Sequence, residues 1–181
     1  MATGMATRLK VWTLKELHSL PDDGNKYELV RGELFVTPPP TDEHETIAAR
    51  LTRLLDPFVA ANDLGYVYHR RAVMQLSGSE IEPDLMVRKA HPRPKTGWSK
   101  APKPILVVQI ISDSTRRRDY NQKKHLYMDA GVAEYWIVDA SERAIAVVRP
   151  GEVDVLEAER VVWRPAGVSS GLTIRVADVL A

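Results

Sequence analysis

The chain has 181 residues, of which 44% are hydrophobic and 27% charged; that is enough apolar material for one domain with a substantial core, spanning 1–181, and it excludes a disordered chain. Cysteine is absent, which excludes disulfides, thiolate zinc sites and iron–sulfur clusters. No apolar run approaches the roughly 18 residues of a membrane span, and the first eight residues lack the apolar stretch of a signal peptide, so a soluble cytoplasmic protein is expected.

In chain order, Trp12 to Leu20 carries leucines at 14, 17 and 20 and predicts a short helix stopped by Pro21 and Gly24. Tyr27 to Val30 and Glu33 to Val36 predict a β-hairpin turning at Arg31-Gly32, and the prolines at 38–40 a loop. From Asp42, apolar residues at Ile47, Leu51, Leu54, Leu55, Phe58 and Val59 give the stripe of an amphipathic helix. Asp42 and Glu45 resemble a capping box, and Pro57 predicts a kink or an early stop near Asp56. Strands are predicted at Gly65 to Arg71, Val73 to Leu76 and Leu85 to Arg88, then a long exposed loop from Lys89 to Pro104.

Ile105 to Ile111 is aliphatic but for one residue, the pattern of a central strand buried on both faces. A helix from about Arg116 to Ala130 should follow, with Ser112 to Thr115 as its N-cap region and Gly131 at its end. Strands at Glu134 to Val138, Ala144 to Arg149, Val153 to Leu156, Val161 to Trp163 and Leu172 to Ile174 complete the chain. The expected fold class is α/β or α+β: a mixed sheet flanked by helices, with an N-terminal β-hairpin and C-terminal strands.

The formal charge of +1 conceals an uneven distribution. Arg88 to Lys124 holds eleven Lys or Arg and two acids, a balance of +9, while the segments before and after it each sum to −4. Such a block is either a solvated face or a phosphate-facing surface.

Three polar residues stand where their chemistry is costly. Gln109 lies within the aliphatic strand, on the face of Ile105, Val107 and Ile111, and a buried amide needs partners. Lys123 falls in the apolar arc of its helix with Leu126, Tyr127 and Ala130. Asp119, four residues earlier, could pair with it, and an inward lysine can also position or deprotonate a water. Asp84 follows Pro83 at the start of a strand, where the sheet is still open to a ligand. A turn aspartate, a core glutamine and a surface ion pair are the plainer alternatives.

A Pro-Asp before one strand, an acid or amide inside the next, and a lysine nearby resemble the PD-(D/E)-x-K nuclease constellation. More closely, the chain resembles the Uma-two family of restriction endonucleases over roughly residues 24 to 150. The likeness is carried by Tyr27-Glu28-Leu29-Val30-Arg31-Gly32-Glu33-Leu34, Glu43-His44, Pro83-Asp84, and Val107 through Thr115, followed by Asp119, Lys123, Tyr127, Gly131-Val132 and Glu134 through Asp139.

The resemblance implies a restriction-endonuclease-like fold and a phosphodiesterase dependent on Mg²⁺ or Mn²⁺. Asp84, Gln109 and Lys123 would be catalytic, with Asp84, Gln109 and Glu28 around the metal. Glu33, His44 and Asp119 would support them. Arg116, Arg117 and Arg118, with Lys95, Lys100 and Lys103 on the loop, would track a nucleic-acid backbone, DNA in preference to RNA. A homodimer, with two sites addressing two strands, is expected by analogy. The family's usual residue at 109 is glutamate, whereas this chain has glutamine, which can ligate Mg²⁺ but brings no charge. That departure fits a natural active variant, an inactive variant that keeps a binding role, or a deliberate substitution, so a non-catalytic nucleic-acid- or protein-binding module stands beside the nuclease reading.

Overall fold

A computed structural model describes residues 10–93, 95 and 97–181; the octapeptide read for a signal sequence lies outside them. The chain opens with α1 (Leu14–Leu17) and a hairpin of β1 (Lys26–Val30) and β2 (Glu33–Thr37). Arg31 and Gly32 both take positive φ at its tip, 51° and 86°, as a tight two-residue turn with the twist of its strands requires. α2 (Asp42–Ala61) leads to β3 (Tyr66–His69), β4 (Met74–Leu76), β5 (Ser79–Ile81) and β6 (Leu85–Arg88). After a loop containing a 3₁₀ turn at Trp98–Lys100 come β7 (Leu106–Ile111), α3 (Arg116–Arg118), a π-helical turn (Asp119–Lys123) and α4 (Lys124–Asp129). The chain ends with β8 (Glu134–Asp139), β9 (Ala144–Val148), β10 (Val155–Glu157), β11 (Arg160–Trp163), β12 (Leu172–Arg175) and α5 (Val176–Leu180).

The main sheet has six strands in the order β10-β9-β8-β7-β6-β3. Its β7–β8 pair is parallel and the others antiparallel, so the connection from β7 to β8 must cross over, and the segment 116–129 is that crossover. A second sheet, β2-β1-β5-β4, and the β11–β12 pair complete the strand layers. The architecture is the mixed α+β arrangement that the strand and helix periods predict.

Strand alternation divides the core in two. On one side of the main sheet, Leu85, Leu106, Val108, Ile110 and Trp136 meet Ile47, Leu51, Leu55 and Val59 of α2 and the C-terminal Trp163 and Val179. On the other, Met86, Val107, Ile111, Tyr135 and Ile137 meet the second sheet and α4 through Val30, Met74, Ile81, Leu126 and Tyr127.

Several local expectations are corrected. α2 runs on through Pro57 to Ala61; the proline is exposed, so the carbonyl it leaves unbonded can face water while Leu55 and Val59 keep the helix on the sheet. The cap of α2 is Thr41, whose Oγ1 accepts from the His44 N–H at 3.2 Å, rather than Asp42. The single helix expected over 116–130 is three pieces with a π turn at its centre. That wide turn falls where two charged side chains, Asp119 and Lys123, point inward. β5 and α5 were not foreseen: three and five residues are too short for a period to register. Among the described residues, no helix is long and apolar enough to cross a membrane.

Candidate active site

The site forms where β6 and β7 begin to separate. Their register pairs Leu85 with Val108 and Met86 with Val107, so one step further on Asp84 stands beside Gln109. Pro83 offers no N–H to continue the ladder, and the Asp84 carboxylate takes up an adjacent donor: its Oδ2 accepts from the Ile110 N–H at 2.8 Å. Lys26 Nζ donates to Asp84 Oδ1 at 3.2 Å and to the Glu82 carbonyl at 3.3 Å. His44 Nε2 lies 3.4 Å from Oδ2. Burial alone would raise the Asp84 pKa, but Lys26, followed by His44, outweighs it and holds the carboxyl well below the usual carboxylate range. Reciprocally, burial would lower the Lys26 pKa, but the carboxylates of Glu28 and Asp84 raise it above the ordinary lysine value.

Gln109 meets its partner on the crossover. Its Nε2 donates to the Tyr127 hydroxyl at 3.0 Å, and the Tyr127 ring packs at 4.8 Å on Tyr135. Burial, reinforced by the charge of Glu28, pushes the Tyr127 phenol well above its ordinary pKa, which keeps the hydroxyl protonated.

Lys123 is wholly buried, as is Glu28. The ammonium lies 2.8 and 2.9 Å from the two Glu28 carboxylate oxygens and 3.5 Å from Asp119 Oδ1. Glu28 Oε1 also accepts from the Glu82 N–H at 3.0 Å. Burial would raise the Glu28 pKa; Lys123 and then Lys26 bring it below the ordinary glutamate value. Asp119 Oδ1 is buried without a hydrogen bond.

In front of this network opens a cavity of about 510 Å³, lined among others by Lys26, His44, Arg70, Asp84, Gln109, Arg118 and Asp119. Glu28 and Lys123 are not part of its wall; they form a sealed pair behind it. The residues singled out from sequence therefore fall into two layers, one facing the cavity and one supporting it. Glu33 stands apart: it is exposed and accepts from Gln122 Nε2 at 2.7 Å.

The basic block also divides. Arg118 lines the cavity and donates to Thr37 Oγ1 at 3.2 Å, whereas Arg116 is forked onto Asp139 and Arg117 is exposed. Lys95, Lys100 and Lys103 do not line the cavity. Lys89 pairs with Asp63 and Lys124 with Asp154. Two cations at the cavity, Lys26 and Arg70, lie outside the basic block, in the segment that sums to −4. Lys26 had a readable signal, since it stands two positions before Glu28 on β1 and period-2 alternation puts both on one face.

As arranged, these donors do not make a metal centre. Among the described residues, no group of three or more acidic or histidine side chains is disposed to hold an ion. Both Asp84 oxygens already face donors, Glu28 is closed on Lys123, and Gln109 is neutral. Three carboxylates, Glu28, Asp84 and Asp119, are matched by Lys26, Lys123 and Arg118, so the cluster balances its charge without a divalent cation.

Comparison with known proteins bears on the fold and the family. The chain's fold is similar to the crystal structure of a "putative nuclease belonging to DUF820" from Anabaena variabilis ATCC 29413, with a TM-score of 0.76 and 18% identity over 93% of this chain and 97% of that one. No curated protein matches. A family model, Uma2, described as "Putative restriction endonuclease", matches residues 14–177. The chain belongs to the Uma2 family of restriction endonuclease-like proteins.

Proposed function

We propose that this chain is an endonuclease-type protein that binds a nucleic-acid phosphodiester, DNA in preference to RNA, in the cavity before Asp84, and that its hydrolytic capacity is held low by glutamine at position 109. The observation that carries the reading is the cavity wall. Asp84 and Gln109 are neighbours at its floor, and Lys26, His44, Arg70 and Arg118 surround them. Those basic groups suit a phosphate oxygen, and family membership makes the substrate class a nucleic acid.

Hydrolysis of a phosphodiester needs a nucleophilic water, neutralised phosphoryl oxygens and a stabilised leaving oxygen. Arg118 and Arg70 can serve the second need. Asp84, held ionised by Lys26 and hydrogen bonded by Ile110, is too weak a base to activate water efficiently at neutral pH; its suited role is to fix the geometry of the groups around it. Lys123 acts at one remove, keeping Glu28 of β1 ionised and supporting the floor. Mg²⁺ or Mn²⁺ is the cofactor expected for the family's chemistry, and oxygen donors such as carboxylates suit such hard cations. Glutamine at 109 takes away one unit of charge attraction, and the internal cations satisfy the rest.

The test is a cleavage panel of plasmid and single-stranded DNA in Mg²⁺ and in Mn²⁺. The unmodified chain should cleave slowly or not at all, Gln109→Glu should raise cleavage by about 10- to 100-fold, the range typical of changes close to a metal, and Asp84→Ala should abolish it in either background. Absence of metal-dependent cleavage by Gln109→Glu would contradict the nuclease reading. Retained DNA binding in that case would favour the non-catalytic binding module, a reading that the charge-balanced floor already supports.

A further inference from the structure

A second cavity lies at the opposite end of β6 from Asp84. It measures about 160 Å³ and shares no lining residue with the first. Its wall includes Met74, Met86, Trp98 and Pro104, with Arg88 and Lys103 as its cations. Arg88 is only 3% exposed, yet among the described residues no carboxylate lies within ion-pairing distance. Its one hydrogen bond runs from Nη1 to the Lys89 carbonyl at 3.0 Å, and its Nε has no partner. The guanidinium instead stacks on the Tyr68 ring, 3.9 Å from its centroid, with the Trp98 ring at 5.9 Å.

A guanidinium carries five N–H donors in a fork matched to carboxylate and phosphate, and burying one without an anion is costly. Aromatic stacking offsets part of that cost. The approach of β3 to the Arg88 backbone is close. A Cβ on Gly65, at φ +112°, would fall 2.2 Å from the Arg88 carbonyl oxygen, so β3, which carries Tyr68, can approach Arg88 closely only through glycine. Gln75 of the same wall donates to Glu80, whose carboxylate is also paired with His18. Lys103, exposed and lining the same cavity, adds a second positive charge.

We propose that this cavity is a binding site for an oxyanion, carboxylate or phosphate, carried on a small planar or apolar group. The anion would face the Arg88 fork and Lys103, and the attached group would lie against Trp98 and the two methionines. The volume corresponds to about five water molecules at roughly 30 Å³ each, room for an oxyanion and one ring. A free small molecule and the 5′-phosphate end of a nucleic-acid strand present the same chemistry. The site stands independently of the reading given to the Asp84 cavity.

Calorimetric and tryptophan-fluorescence titrations with phenyl phosphate, benzoate and inorganic phosphate test it, alongside a thymidine hexamer with and without a 5′-phosphate. Phenyl phosphate or benzoate should bind saturably and more tightly than inorganic phosphate. Trp98→Ala, at a residue 40% exposed and so tolerated by the fold, should weaken binding by about fivefold. Arg88→Met should remove it, and Asp84→Ala should leave it unchanged. Preference for the phosphorylated hexamer, lost in Arg88→Met, would assign the site to strand ends; equal binding of the two hexamers would assign it to a free small anion. Should Arg88→Met not fold, Trp98→Ala and Lys103→Ala carry the test. No saturable binding of any of these anions, or binding indifferent to Trp98→Ala and Lys103→Ala, would overturn the proposal.

Discussion

The two faces of the main sheet are made by the same strands and differ in what they tolerate. Along β7, Leu106, Val108 and Ile110 enter an aliphatic layer under α2, while Val107, Gln109 and Ile111 face a layer that also holds Glu28, Asp84, Asp119 and Lys123. The α2 face admits little charge, its buried carboxylate Glu134 accepting from Trp136 and Arg149 at the end of the sheet; on the opposite face, each charge of the cluster at the cavity floor has a partner. A fold can therefore carry a buried ionic site at the floor of a cavity without weakening its core, provided that the charges balance locally.

Substitutions that break the balance should separate the two faces. The largest effect is expected for Lys123→Met, which leaves Glu28 buried and uncompensated: about 3–5 kcal/mol of stability should be lost in urea denaturation, and most of it recovered in the double variant Lys123→Met/Glu28→Gln. Leu51→Ala on the α2 face should cost about 2–5 kcal/mol, and no single second substitution should rescue it in this way. A rescue equal on both faces, or none on either, would erase the distinction.

Lys26→Met should cost less, about 1.5–3 kcal/mol for a hydrogen bond between charged groups, and its signature is pH dependence. Asp84 is depressed in the folded state, so its contribution is present above the unfolded carboxylate value near 4 and is lost as pH falls through the folded value. Lys26 is raised, so its contribution is full below the unfolded lysine value of about 10.4 and is lost as pH rises through the folded one. Stability should thus hold a plateau between these limits, and Lys26→Met should flatten its alkaline edge. The smallest effect is expected for Tyr127→Phe, about 1 kcal/mol, since it removes one neutral partner from Gln109. Thermal denaturation resolves that difference.

Much of this division was legible in the sequence. The aliphatic run around Gln109 announced a buried strand, and the helical phase of Lys123 announced an inward charge; both rest on local periods that the fold preserves. Lys26 was missed because the hairpin was read for its turn rather than for its period of two. The basic block was legible as a sum but not as a surface: Lys89, Arg116 and Lys124 find Asp63, Asp139 and Asp154, acids 23 to 30 residues away in the chain, and such pairings exist only once the chain is folded. The unpaired state of Arg88 was invisible for the same reason.

The central claim is that the floor of the first cavity is charge-complete without a divalent cation and that Gln109 makes it so. Calorimetric titration of Mn²⁺ into the unmodified chain and into Gln109→Glu tests it most directly. The account predicts no saturable binding at millimolar Mn²⁺ in the first, and in the second a site at least about tenfold tighter that Asp84→Ala removes. Tight Mn²⁺ binding by the unmodified chain, undiminished relative to Gln109→Glu, would contradict it.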